Sequence, residues 1–256
     1  MIKKKKPIEI KYDHFSYSGI SVFLQCAKRW YLKYQVKPTV EIDQTYFSLG
    51  TACHGIMEYW KGGTKKQFLQ LMQEQFNEHD VMKYWKPEDV IPMIKNCKSF
   101  FDNYLKGKEE RVHRELSFNM NVGPYKSSGK IDLIIEPLFD ENGELIEKGY
   151  LIDYKTSGKA ELKADMREQL QLYMAGIKTM YPTWKASHFR FGIYFIRFND
   201  LVETTFTDDD IDAKIIDFER KCNRVQQSEF NKNAGVLCNW CEYNGTEHCQ
   251  GENGND

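Results

Sequence analysis

The sequence predicts an α/β fold: a mixed central sheet flanked by helices, with a helical N-terminal part and a cysteine-rich C-terminal loop. Three observations predict it. Residues up to about 110 carry helical periodicity; from about 111 the texture changes to short apolar runs of strand type separated by turn residues; helices and a further strand then follow to about 230. On this reading 1–110 is a helical region, 111–230 a sheet-bearing core and 231–256 a cysteine-rich metal-binding end, all within one compact unit. A chain of 256 residues is long enough for such a core with appendages.

The first helix is expected over Ser18 to about Tyr34, "SGISVFLQCAKRWYLKYQ". Ser18 or Ser21 can cap it, Phe23, Ala27 and Tyr31 form one stripe, and Pro38 follows its end. A second helix starts near Leu49 in "LGTACHGIMEYW", and two more cover about Lys65 to His79 and Glu88 to Leu105. Strands follow near Arg114–Val122, Ser127–Glu136 and Tyr150–Tyr154, with "DENGE" as the turn before the third. A helix near Asp165–Met180, a strand at "FRFGIYFIRF" and a helix near Asp208–Gln227 complete the order.

Composition narrows the function classes. Lys plus Arg number 36 and Asp plus Glu 37, so a nucleic-acid partner has to be held by local basic patches rather than by global charge. Hydrophobic residues at 41% and aromatics at 14% exclude a disordered chain. No apolar stretch approaches a membrane span. The N-terminal "MIKKKKPIEIKYD" has no hydrophobic segment behind its lysines, so it does not read as a signal peptide. It and the final "GENGND" read as frayed ends. The expectation is a soluble cytoplasmic protein with no membrane contact, encoded by a cell, a virus or a mobile element. There, seven cysteines read as thiols or metal ligands rather than disulfides.

Two carboxylates stand out within apparent core strands: Asp132 in "GKIDLII" and Asp153 in "LIDYKTSG". A buried unpaired charge is costly, so it calls for a partner or a metal. Strand alternation points Asp153 and Lys155 to one face and Ile152 and Tyr154 to the other. If the two strands are neighbours, both carboxylates converge beside the lysine, and hard oxygen ligands so placed suit Mg²⁺ or Mn²⁺. The bland alternative is an Asp153–Lys155 ion pair on a solvated face. Other positions are equally open on their own terms. His54 sits on an apolar helix face where a packed core histidine is the simpler reading. Gln169 and Tyr173 lie one helical turn apart, as on any amphipathic surface. Glu115 has Arg111 and Arg114 nearby as partners.

Taken in order, these stretches resemble the PD-(D/E)XK nuclease superfamily, specifically its RecB-like branch, which includes helicase-linked exonucleases and the CRISPR adaptation nuclease. "GKIDLII" resembles the strand with the first metal-binding aspartate, and "LIDYKTS" the second motif with its catalytic lysine. "EQLQLYMAG" resembles the Q-x-x-x-Y motif, "LGTACHGIMEYW" the upstream glycine-then-histidine motif, and "HRELSF" the strand with a further acidic residue. The resemblance runs from about Ser18 to Cys249. It implies a restriction-endonuclease-like core in which Asp132, Asp153, Lys155, Gln169 and Tyr173 are catalytic and His54, Glu115, Asp132 and Asp153 hold Mg²⁺ or Mn²⁺. It also implies a DNA nuclease, an exonuclease acting on duplex ends or single strands in recombination, repair or CRISPR adaptation. A recombination or CRISPR protein and a second copy of the chain are the partners that go with it. The alternatives are a catalytically silent DNA-binding or assembly module on the same fold, and a zinc-stapled interaction protein.

The end "LCNWCEYNGTEHC" carries Cys238 and Cys241 as a C-x-x-C pair, with Cys249 eight residues on. Such a pair in a loop reads as metal ligation; redox activity is the other reading, though nothing around it resembles a thioredoxin unit. His248 could complete the set locally, or Cys26 from across the chain. Some members of the RecB-like branch hold a [4Fe–4S] cluster on one N-terminal and three C-terminal cysteines, a layout that Cys26, Cys238, Cys241 and Cys249 reproduce. Ala27 stands where those members often have proline, and the spacing before Cys249 is somewhat long, which keeps structural Zn²⁺ open. Cys53, Cys97 and Cys222 read as packing residues. Lys28, Arg29, Lys33, Lys159 and Lys163 are candidates for phosphate contact. Trp30, Tyr31 and Tyr34 are either core aromatics or stacking platforms for bases.

Overall fold

The computed structural model describes residues 12–40 and 45–250, the Tyr46 side chain excepted; the basic N-terminal tail and the "GENGND" end lie outside the described residues. Contacts group the chain into two compact units assembled from distant segments. One comprises Met1–Asp43, Asn119–Ser128 and Ile215–Asp256, and the other Gln44–Phe118 and Gly129–Lys214.

The first unit opens with β1 (His14–Phe15), α1 (Tyr17–Gln25) and α2 (Ala27–Tyr31), followed by a π-helical turn at Leu32–Val36. The single helix expected over 18–34 is therefore interrupted. Cys26 is extended, with φ −158° and ψ 111°. Nothing in the local pattern forbids helix there, so periodicity alone cannot see the break. The cap is Ser16 rather than Ser18 or Ser21; its hydroxyl accepts from the Gly19 N–H at 3.1 Å. Trp30 is buried and stacks on Phe230 with ring centroids 5.5 Å apart, and Tyr31 stacks on the same ring at 5.0 Å. Both aromatics are thus packing residues.

The second unit begins with α3 (Thr45–Tyr59), α4 (Lys65–Glu78), α5 (Val81–Tyr84) and α6 (Pro87–Phe100), which runs on as a π turn to Leu105. Thr64 and Gln67 cap α4 reciprocally, the capping box that fixes where it starts. The short α5 was not legible in the sequence. The sheet strands follow: β2 (Val112–Val122), β3 (Tyr125–Ile135), a small hairpin of β4 (Leu138–Phe139) and β5 (Leu145–Glu147), then β6 (Gly149–Lys155). "DENGE" is the hairpin turn, where Asp140 Oδ1 accepts from the N–H groups of Asn142 and Glu144. Next come α7 (Ala164–Met180), β7 (Phe189–Phe195), β8 (Asp200–Thr204) and α8 (Asp208–Gln226).

The sheet is mixed. β6 pairs antiparallel with β3 and parallel with β7, β7 pairs antiparallel with β8, β2 lies against β3, and β1 runs parallel to the first residues of β3. The parallel pair requires a crossover, and α7 supplies it. Leu133, Ile135, Ile152, Tyr154 and Tyr194 form one face and pack with Ile56 of α3 and with Met93 and Phe100 of α6. The other face carries Asp153 and meets α7. Helices on both faces explain why β6 and β7 read as nearly continuous apolar runs. Cys53 and Cys97 are buried in this core.

Phe118 sets the height of α7. Its ring lies against Gly129 of β3 and Gly176 of α7, where added methyl groups would overlap it. Gly176→Ala is expected to destabilise the protein by about 1–3 kcal/mol through overpacking. The check is a lower denaturant midpoint at an unchanged slope. An unchanged midpoint would mean that Phe118 moves aside at no cost.

Candidate active site

The site begins where backbone pairing between β3 and β6 gives way to a side chain. The ladder runs from Ile135↔Tyr150 to Leu133↔Ile152. At the next step the Asp132 carboxylate accepts the Tyr154 N–H at 2.7 Å. Asp132 and Asp153 are 9% and 2% exposed, so neither carboxylate lies on a solvated face. Burial, followed by repulsion from Asp153, holds the Asp132 carboxyl well above the usual carboxylate range.

Asp153, Lys155, Gln169 and Tyr173 close a polar ring. The Lys155 ammonium lies 2.5 Å from Asp153 Oδ2 and donates to Gln169 Oε1 at 3.3 Å. Gln169 Nε2 donates to the Tyr173 hydroxyl at 2.6 Å, and that hydroxyl donates to Asp153 Oδ1 at 3.5 Å. The helical spacing of Gln169 and Tyr173 therefore has a tertiary use: α7 brings both over β6, where they orient the lysine. Burial, then the Asp153 charge, raises the Tyr173 pKa and keeps it a neutral phenol. Asp153 Oδ2 is buried and has no hydrogen bond, because the close ammonium is not aligned to make one.

A second cluster forms beside the ring. Donor atoms of His54, Glu115 and Asp132 lie within 4.8 Å of one another, a spacing that one metal ion can bridge. His54 comes from α3, with Nδ1 3.6 Å from Asp132 Oδ2. Burial lowers its pKa, which favours the neutral imidazole that can act as a ligand. Glu115 sits in mid-strand with φ +51°, a left-handed backbone uncommon for a non-glycine residue. Its carboxylate pairs with Lys130 at 3.2 Å. The arginines that could have claimed it are engaged elsewhere: Arg111 pairs with Glu147, and Arg114 donates to the Trp60 carbonyl. Of the four expected metal ligands, three fall in this group and Asp153 faces the lysine. His54, Glu115, Lys130 and Asp132 line a cavity of about 570 Å³. Lys130 and the cavity's outer residues escaped the sequence reading, although Lys130 stands two residues before Asp132.

The donor set fits a hard divalent cation: two carboxylates and an imidazole, next to a buried carboxylate oxygen without a hydrogen bond. Among the flanking lysines, Lys159 and Lys163 are exposed in the connection from β6 to α7. Arg29 is committed to Glu242 at 2.6 Å, which removes it from the phosphate-contact candidates.

Within the other unit, Cys26, Cys238, Cys241 and Cys249 line one small cavity, all as free thiols. The Cys26 sulfur accepts from the Asn233 N–H at 3.5 Å and the Cys238 sulfur from the Gly235 N–H at 3.4 Å, contacts that suit thiolate ligands. Burial pushes the Cys241 thiol up. His248 does not line this cavity; its ring lies 3.5 Å from Glu247.

A family model, the PD-(D/E)XK nuclease superfamily, matches residues 14–246. The chain belongs to the PD-(D/E)XK nuclease superfamily. The mixed sheet with helices on both faces is consistent with that superfamily's core. The protein is accordingly a nuclease, and PD-(D/E)XK nucleases use divalent metals. Its fold is similar to that of a "Putative exonuclease" from Eubacterium rectale, 13% identical, with 91% of this chain and 88% of that chain covered and a TM-score of 0.53. A further similar structure is that of SSO0001, 14% identical over 92% of this chain and 85% of that chain, with a TM-score of 0.41. Comparison with curated proteins gives no match. Among the described residues, no helix is long and apolar enough to cross a membrane.

Proposed function

We propose that this nuclease is a Mg²⁺- or Mn²⁺-dependent deoxyribonuclease of the RecB-like kind, an exonuclease acting on DNA ends or single strands. The observation that carries the reading is the adjacency of the His54–Glu115–Asp132 group to the Asp153–Lys155–Gln169–Tyr173 ring. Neither half suffices alone: acidic groups occur without metals, and buried ion pairs without catalysis. His54, Glu115 and Asp132 would hold the divalent ion, which when bound would supply Lewis acidity and lower the pKa of a water.

The chain's own groups do the rest. Lys155, the one cation of the ring, is placed to orient the attacking water or to meet charge that develops on the phosphate. Gln169 holds the ammonium, and Tyr173 holds Gln169. Lys159 and Lys163 offer salt-sensitive, sequence-independent contacts to the strand. In the other unit, the four thiols suit a [4Fe–4S] cluster, or zinc, as a structural clasp.

The test uses the purified chain with labelled single- and double-stranded DNA and Mg²⁺ or Mn²⁺, against EDTA. Metal-dependent release of nucleotides from an end is the expected result. Internal cuts in closed circles would replace exonuclease by endonuclease. Tight binding without cleavage under either metal would favour the silent module.

A further inference from the structure

One basic side chain at the metal-ligand group has no part in the reading above. Lys130 lines the cavity together with His54, Glu115 and Asp132. Lys130 and Asp132 stand two residues apart on β3, so strand alternation sends both to one face. Glu115 comes from β2, which pairs with β3, and its left-handed backbone at φ +51° is unusual in mid-strand. Such backbone persists where the surrounding fold imposes it, commonly at functional sites. The Glu115 side chain is 17% exposed, and its Oε2 lies 3.2 Å from the Lys130 ammonium, whose side chain is 58% exposed.

The charges around this pair give it a use. Glu58 and Glu78 line the same cavity, and among the described residues Lys130 is the one lysine or arginine that does. Lys155 is the other cation nearby, and Asp153 and Gln169 hold it. A phosphate in this cavity meets several carboxylates, so a cation able to move onto it offsets their repulsion. Lysine suits that task, being a point charge on a flexible four-carbon stem that changes partners without any change of backbone. Glu115 does not serve two cations at once, because an ammonium beside a divalent ion is repelled by it. We propose that Lys130 is an exchangeable counter-ion: it neutralises Glu115 in the metal-free protein, yields that carboxylate to the ion, and then holds an oxygen of the substrate phosphate. The inference rests on the nuclease reading above and adds a catalytic residue to it. Lys130 on this account opposes metal binding and promotes the step that follows.

Those opposite signs separate the role from a structural one, whose loss would weaken both. Mn²⁺ is first titrated into metal-free, full-length Lys130→Met and wild type without DNA. An ion pair this exposed on one side is worth a factor of about two to five, so the variant should bind Mn²⁺ more tightly by about that factor. Lys130→Arg keeps the charge and should bind Mn²⁺ as the wild type does. At saturating Mn²⁺, cleavage by Lys130→Met should nevertheless fall by about tenfold or more, and Lys130→Arg should recover most of it. Binding without turnover is read by adding Lys130→Met to Lys155→Met and titrating a labelled oligonucleotide with Mn²⁺ at rising salt. The slope of log affinity on log salt should drop by about one phosphate contact. Unchanged or weaker Mn²⁺ binding by Lys130→Met overturns the exchange, and an unchanged salt slope overturns the phosphate contact. Either result sinks the inference and leaves the nuclease reading in place. If the wild type binds Mn²⁺ and cleaves no DNA, the nuclease reading falls and takes this inference with it.

Discussion

Asp132→Asn is expected to abolish cleavage while the protein stays folded. Asparagine keeps an oxygen to accept the Tyr154 N–H, now made at 2.7 Å, and removes only the charge. Alanine would also leave that buried amide without its acceptor, at a cost of about 1–3 kcal/mol. With one ligand of the His54–Glu115–Asp132 group neutral, activity should fall by more than about a hundredfold. Stabilisation by Mn²⁺, about 2.7 kcal/mol at a hundredfold excess over Kd, should shrink with it.

The metal-free protein offers a second readout of the same carboxylate. Burial, then Asp153, raises the Asp132 pKa in the folded state. A raised carboxylate favours folding fully below its unfolded-state value, and that contribution is lost as pH rises through the folded one. In EDTA, against the opposite contribution of His54, whose lowered pKa costs stability as pH falls, Asp132 should therefore add stability along a slope that rises from neutral toward the ordinary carboxylate range. Asp132→Asn should flatten that slope, and Mn²⁺ should flatten it in the wild type. Lys155→Met separates the roles, because metal-dependent stabilisation should persist while turnover collapses. Wild-type cleavage by Asp132→Asn under Mn²⁺ would sink the site assignment, and loss of metal response in Lys155→Met would make the lysine structural.

Cys26→Ser carries the second large effect. Cys26 lines one cavity with Cys238, Cys241 and Cys249, from which it is separated by more than two hundred residues of chain. A cluster on these four sulfurs, as proposed above, would close a very long loop and would add its own coordination free energy to folding. Protein purified without oxygen should be brown, with broad visible absorption that bleaches on reduction. Cys26→Ser and Cys249→Ser should both lose the colour and melt at lower temperature, whereas His248→Ala should change little. A colourless preparation holding stoichiometric zinc would exclude iron–sulfur and leave the clasp. Full metal content in Cys26→Ser would show that a local group completes the set instead.

Much of this was legible in the sequence because it rests on local geometry. A period of two puts Asp153 and Lys155 on one strand face, and a period of 3.6 puts Gln169 and Tyr173 on one helix face; both placements hold in the structure. The capped start of α4, the "DENGE" turn and the apolar runs of β6 and β7 are likewise set by neighbouring residues. The grouping of Cys26 with the C-terminal cysteines was suggested only by the resemblance to the RecB-like branch, since residue type and order left His248 equally open.

Tertiary structure decided what depends on register and packing across the fold. Where the β3–β6 ladder yields to the Asp132 side chain is set by how the two strands meet, which neither strand encodes alone. The left-handed Glu115 and the extended Cys26 between two helices are conformations that no local propensity favours. The cavity walled by Phe47, Tyr59 and Gln75 exists because α4 packs against Gly55 of α3, a contact between residues twenty positions apart. Sequence determined the chemistry available at each position; packing decided which groups share a site, because only the folded chain fixes distances between segments with no local interaction.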